Sequence, residues 1–178
     1  IAERCIKEIF QPTVAALKAE GRPFKGVIYF GLMLTKDGPR VVEYNARFGD
    51  PETQPILSML DTDLMDIFQA CVDGTLDQVD ISWKSGAACC LVLASGGYPV
   101  SYKSGYPIAG LTEAEALGAT VFHAGTKAEN EQVLTAGGRV LGVTALGGTL
   151  EEAIERAYAA AKPIAFQDMH FRTDIGKV

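Results

Sequence analysis

Basic residues are in short supply in this 178-residue chain: Lys and Arg number 16 against 22 Asp and Glu, a formal net charge of -6. Binding nucleic acid or an anionic membrane through charge needs a basic excess or patch, so neither is expected as a partner. A few cations in one cleft still suffice for a local phosphate. Cysteine is sparse too. Cys5, Cys71, Cys89 and Cys90 show no CxxC or Cys/His metal spacing, which points to a reduced, cytoplasmic chain. His123 and His170 stand apart from any companion at ligand spacing, so they read as structural. No apolar run approaches the ~20 residues of a membrane span, and no signal peptide is visible. An initiator Met is also missing. The chain opens "IAERCIKEIF", already inside an amphipathic pattern, and reads as a piece of a longer protein or as an engineered or proteolysed start.

The patterning that is present mixes helix and strand. Residues 2 to 20 place Cys5, Ile6, Ile9, Phe10, Val14 and Leu17 at helical spacing, with Pro12 expected to kink or divide the helix. Residues 25 to 34 and 40 to 46 read as a β-hairpin, with Asp37-Gly38 supplying the tight turn. A helix is expected from about Pro55 to Cys71, stopped by Gly74. The polar stretch 74 to 86 is the expected boundary, dividing the chain into domains 1–78 and 79–178. Beyond it, "AACCLVLA" reads as a buried strand, with short strands at 120–124, 131–135 and 139–146. Thr112 with Glu115 and Thr149 with Glu152 have capping-box spacing, and the second is expected to open a helix with Leu150, Ala153, Ile154, Ala157, Tyr158 and Ala161 inward. Glu129 to Glu131 read as a solvated hairpin tip. The fold class is α+β.

One stretch does not read as fold-building. "VVEYNARFGDPET" (41–53) begins as a buried strand, sets Glu43, Asn45 and Arg47 at every second position, then turns through Gly49, Asp50, Pro51 and Glu52. Strand alternation puts Glu43, Asn45 and Arg47 on one face, the first two separated by roughly 7 Å along the chain. A carboxylate and an amide oxygen so placed suit a hard cation such as magnesium, whose shell water and phosphate oxygens complete. Arg47 suits a phosphoryl or acyl-phosphate oxygen. A solvated, salt-bridged sheet edge would carry the same residues, and spacing alone leaves both readings open.

The wider stretch is more specific. "GVIYFGLMLTKDGPRVVEYNARFGDPETQ", followed in order by "VLASGGYPVSYKSGYPIAGL", "VFHAGT", "GGRVLGVTALG" and "FRTDIG", resembles the glycinamide ribonucleotide synthetase family of the ATP-grasp superfamily across nearly the whole chain. The resemblance implies the C-terminal part of an ATP-grasp domain, an antiparallel sheet with helices, followed by a small mixed α+β domain. It also implies a reaction in which ATP, glycine and 5-phosphoribosylamine give glycinamide ribonucleotide, ADP and phosphate. By position, Glu43 and Asn45 become ligands of Mg2+ (or Mn2+), and Arg47 the stabiliser of the transferred phosphoryl group. Asp50 and Glu52 become candidates to orient the glycine ammonium or the attacking amine.

Two departures from that family stand out. The strand preceding the motif offers Tyr29, Phe30, Gly31 and Leu32, with no further acidic metal ligand, and Val100 replaces a frequent glycine in "GYPV". The family's N-terminal domain, phosphate loop and adenine-holding segment have no counterpart here, so the missing N-terminal portion is itself an implied partner. Gly96, Gly97 and Tyr98 read either as a turn or, by the resemblance, as a contact near the ribose phosphate. Arg172 reads either as a phosphate or glycine contact or as a surface pair with Asp174. The competing function is a non-catalytic binding or assembly domain. A metal-dependent hydrolase lacks the His or extra Asp ligands such sites combine.

Overall fold

The computed structural model describes residues 1–176. The chain packs as two units: Ile1–Gly49 with Thr62–Ser82, and Asp50–Asp61 with Trp83–Val178. Residues 50–61 therefore pack with the C-terminal residues, and the chain returns to the second unit between Ser82 and Trp83.

In the first unit, α1 (Ala2–Cys5) runs through a π-helical turn at Ile6–Phe10 into α2 (Gln11–Ala19). Pro12 lies inside this continuous helix, and the π-helical turn directly before it accommodates the missing N–H, so the helix is adjusted there without being divided. Phe10 stacks on Phe30 with centroids 4.4 Å apart, and Phe30 meets Tyr44 edge-on at 5.4 Å. These rings fasten the helix to the antiparallel hairpin of β1 (Tyr29–Thr35) and β2 (Gly38–Asn45). The turn lies one residue earlier than the sequence suggests. Lys36 and Asp37 form the loop, and Gly38, at φ +110, opens β2.

The expected helix from Pro55 to Cys71 is two helices in different units. α3 (Thr53–Met59) ends where Leu60 becomes extended, and α4 (Leu64–Asp73) starts afresh. Asp63 is the reason for the restart. Its carboxylate accepts from Met65 N at 2.8 Å, capping a new N-terminus, and Gly74 ends α4 in the left-handed conformation.

The second unit is built on a four-stranded antiparallel sheet in the order β4 (Thr120–His123), β7 (Arg139–Gly147), β3 (Ala87–Ser95), β8 (Met169–His170). A separate hairpin joins β5 (Thr126–Glu129) to β6 (Gln132–Thr135), with Asn130 and Glu131 both at positive φ in its tip. Neither β5 nor β8 was expected from the sequence: β5 is four polar-flanked residues and β8 only two. Two further helices join α3 in this unit, the short α5 (Leu111–Ala116) and α6 (Leu150–Ala161).

α6 and α3 both pack on the central strands β3 and β7. The α6 face carries Leu91, Leu93, Leu141 and Val143, all essentially inaccessible, against Ala153, Ala157, Ala160 and Ala161. Alanines let the helix approach closely, and each buried Leu contributes about 1.5–3 kcal/mol over its exposed state. Leu150, expected inward, is exposed because it precedes the first buried turn. Alternation puts Cys90, Gly142 and Thr144 on the other face, where Gln54 of α3 lies close to Gly142. Among the described residues no helix is long and apolar enough to cross a membrane.

Candidate active site

β2 ends at Asn45, so strand alternation positions Glu43 and Asn45, while Arg47 follows in a bend. The two side chains lie together: Asn45 Nδ2 donates to Glu43 Oε1 at 3.2 Å. Glu43 is solvent-exposed and Asn45 half-buried. Directly across the hairpin Glu43 faces Gly31, so no side chain crowds it from β1 and none adds a third ligand. Two adjacent hard-oxygen side chains at an exposed strand end fit a divalent cation that keeps several water or phosphate oxygens. Arg47 donates through Nη1 to Phe48 O at 2.8 Å, and its other N–H groups have no partner among the described residues. Below Asn45 the unit holds an apolar cavity of about 310 Å³ lined by Leu17, Phe24, Ile28 and Tyr44, among others.

The acidic turn belongs to the second unit, where it is held firmly. Gln54 Nε2 donates to Asp50 Oδ1 at 3.0 Å, and Arg139 Nη1 donates both to Asp50 Oδ2 at 3.2 Å and to the Asp50 main-chain carbonyl. Arg139 Nε donates to the Tyr98 hydroxyl at 3.1 Å. Arg139 thus joins the "GDPE" turn to the "SGGYP" loop, two stretches that sequence reading treated separately. Burial disfavours charge on this guanidinium, but its hydrogen bonds to Asp50 and then Tyr98 outweigh that and leave its pKa raised. The ion pair is half-exposed, its side chains 40% and 47% accessible, so it adds only about 0–1 kcal/mol to stability.

A bulge puts Arg139 there. Leu93 pairs with Leu141 but Ala94 pairs with Arg139, leaving Val140 as an extra residue in β7. Without it, Arg139 would share the α6 face with Leu141 and Val143. With it, Val140 fills that core and the guanidinium emerges on the α3 face, toward Asp50. Sequence reading missed Arg139, since a one-residue bulge leaves no mark in an apolar strand pattern.

The Tyr98 loop is built by close approach. Gly97 adopts φ +91 beneath the Ser101 carbonyl, and the Tyr98 ring lies on Gly138, where any Cβ would strike it. Tyr98 therefore faces Arg139, while Gly96 lines a cavity of about 420 Å³ with Ser101, Tyr102, Lys103, Tyr106, Gln167 and Asp168. Glu52 sits half-buried at the start of α3, its carboxylate without a partner among the described residues. Arg172 is exposed and bidentate to Asp174, at 2.9 and 2.7 Å.

Comparison with known proteins gives one family over both units. The family model "Phosphoribosylglycinamide synthetase, C domain" matches residues 88–178, and "Phosphoribosylglycinamide synthetase, ATP-grasp (A) domain" matches residues 1–53. The phosphoribosylamine–glycine ligase of Vibrio parahaemolyticus is 49% identical over 177 residues, covering 99% of this chain and 41% of that protein. The Synechocystis enzyme of the same name is 50% identical over 178 residues, covering 99% and 42%. The chain thus spans about two-fifths of the length of these relatives. Among solved structures, phosphoribosylamine–glycine ligase from Thermotoga maritima superposes with a TM-score of 0.78 at 33% identity, over 96% of this chain and 42% of that one. N5-carboxyaminoimidazole ribonucleotide synthetase from Thermotoga maritima, at TM-score 0.60 and 20% identity over 92% and 41%, shares the fold.

Proposed function

Because this chain belongs to the phosphoribosylglycinamide synthetase family, we propose that it forms the C-terminal part of an ATP-dependent ligase of purine biosynthesis. That enzyme joins glycine to 5-phosphoribosylamine, giving glycinamide ribonucleotide, ADP and phosphate. Residues 1–78 are assigned to the ATP-grasp domain and 79–178 to the C-terminal domain. A cytoplasmic location belongs to the same reading, which the four free cysteines suit.

In this proposal the glycine carboxylate attacks the γ-phosphorus of ATP, releasing ADP and leaving glycyl phosphate. The amine of 5-phosphoribosylamine then attacks the glycyl carbonyl and phosphate departs. Such chemistry asks the protein for positioning and charge neutralisation more than for a nucleophile. Glu43 and Asn45 would hold magnesium or manganese, which when bound supplies positive charge to the phosphates. Arg47, with unpaired N–H groups, neutralises the transferred phosphoryl group. Asp50 and Glu52 accept hydrogen bonds from the ammonium of glycine or from the attacking amine. Gly96, Gly97 and Tyr98 lie near the ribose phosphate, and Arg172 is a further anion contact.

The observation that carries the reading is the pairing of Glu43 with Asn45 at an open strand end in a chain matched by both family models. In the full-length ligase, Glu43→Gln is expected to lower turnover at least about 100-fold with an unchanged melting temperature, since a neutral amide replaces an ionised ligand. Near-normal turnover of that variant at saturating magnesium overturns the assignment.

A further inference from the structure

Asp50 is, with Glu52, one of the two candidate amine-binding carboxylates, and its surroundings are more elaborate than a surface acid needs. A carboxylate has about four lone-pair positions. Here Gln54 takes one on Oδ1 and Arg139 one on Oδ2, so each oxygen keeps capacity for an incoming N–H. The same Arg139 nitrogen grips the Asp50 carbonyl, fixing main chain and side chain together. Its Nε fixes the Tyr98 hydroxyl on the neighbouring loop. Gln54 must turn its nitrogen to Asp50, which only accepts, and this leaves Gln54 Oε1 buried with no hydrogen-bond partner among the described residues. An orphaned acceptor retained to orient a carboxylate is an arrangement that packing alone does not require.

We propose that Arg139 is a positioning residue for the amine substrate: its guanidinium locks the Asp50 turn to the Tyr98 loop and sets the direction in which Asp50 meets a substrate amine. The proposal rests on the ligase reading above. The amine is either the ammonium of glycine or the amino group of 5-phosphoribosylamine, and separate Michaelis constants tell them apart. Arg139 acts through Asp50 and has no contact with ATP in this scheme. Lysine in its place keeps the charge but not the fork that reaches Asp50 and Tyr98 together.

The test uses the full-length ligase with Arg139→Ala, Arg139→Lys, Tyr98→Phe and Asp50→Asn. Arg139→Ala is expected to raise the KM of one amine substrate at least 10-fold and to leave the KM of ATP within about twofold. Arg139→Lys is expected to recover part of that loss, and Tyr98→Phe to show a smaller shift in the same constant. Combining Arg139→Ala with Asp50→Asn should cost little more than Asp50→Asn alone, as for two groups acting as a unit. Hydrogen exchange at residues 49–52 and 96–102 should rise together in Arg139→Ala, a readout independent of whether the enzyme is this ligase. An inactive wild type with coupled exchange would fault the function and leave the lock standing. Unchanged amine constants, an equal loss toward ATP, additive effects with Asp50→Asn, or exchange that rises in only one loop each overturn the positioning role. Where Arg139→Ala does not fold, Arg139→Lys and Tyr98→Phe carry the same comparison.

Discussion

Cys89 and Cys90 show how one side chain's chemistry follows from its seat in the sheet. They occupy opposite faces of β3, and burial pushes both thiols above their ordinary pKa. A raised folded-state value means the stabilisation is complete below the unfolded thiol pKa, near ~8.5, and is lost as pH rises past it toward the folded value. The melting temperature is therefore expected to hold from about pH 6 to pH 8 and to drop above about pH 9, more steeply in the native protein than in Cys89→Ala/Cys90→Ala. Parallel slopes would remove the thiols from the account. Gly138 makes a second residue-scale case, because the Tyr98 ring occupies the space a Cβ would take. Gly138→Ala is expected to cost about 1–3 kcal/mol in denaturant unfolding, as overpacking does. Gly105→Ala makes a useful contrast, since a Cβ there meets nothing and only its positive φ opposes it.

Elements divide into those legible in the sequence and those set by neighbours. Thr112 and Thr149 carry the same Thr-x-x-Glu spacing, yet only one caps. Thr149 Oγ1 accepts from Glu152 N at 3.2 Å, while Glu152 reaches back one residue further than a capping box would, to Gly148 N at 2.6 Å. α5 begins earlier than its Thr suggests: Gly110, at φ +82, precedes Leu111, and Thr112 is already inside the helix. Thr149→Ala should therefore cost about 1 kcal/mol, within the ~0.5–2 range for lost caps, and Thr112→Ala almost nothing by the same unfolding measurement. The hairpin of β1 and β2, the buried strand β3, and Glu43 beside Asn45 were all readable, because alternation and turn residues are local signals. The split between α3 and α4 had a signal that apolar spacing masked, Asp63 ahead of Leu64. Arg139 had none: its direction comes from the bulge at Val140, which exists only once β7 is paired with β3. Half of the Asp50 site was thus invisible until strands far apart in the chain were registered.

For the molecule as a whole, the position of α3 matters most. Leu60 bridges to Trp83, with Lys84 N donating to Met59 O at 2.8 Å and Lys84 Nζ to Ser58 O at 3.0 Å, so the second unit is closed across the excursion 62–82. Residues 83–178 alone would leave the Cys90, Gly142 and Thr144 face uncovered. That piece is expected to bind the dye ANS and to melt at least about 5 °C below a version in which residues 50–61 are rejoined to Trp83 by a short glycine linker. Equal melting temperatures would show that α3 is dispensable to the sheet. The same arrangement acts during synthesis. The ribosome delivers α3 first, then all of α4, and only tens of residues later the strands β3 and β7 that cover it. At roughly 5–20 residues per second the nascent α3 waits several seconds with its apolar face unpartnered. At seven residues the segment is too short to persist as a free helix, so it is expected to stay coil through that interval and to become helical only against a sheet made after it.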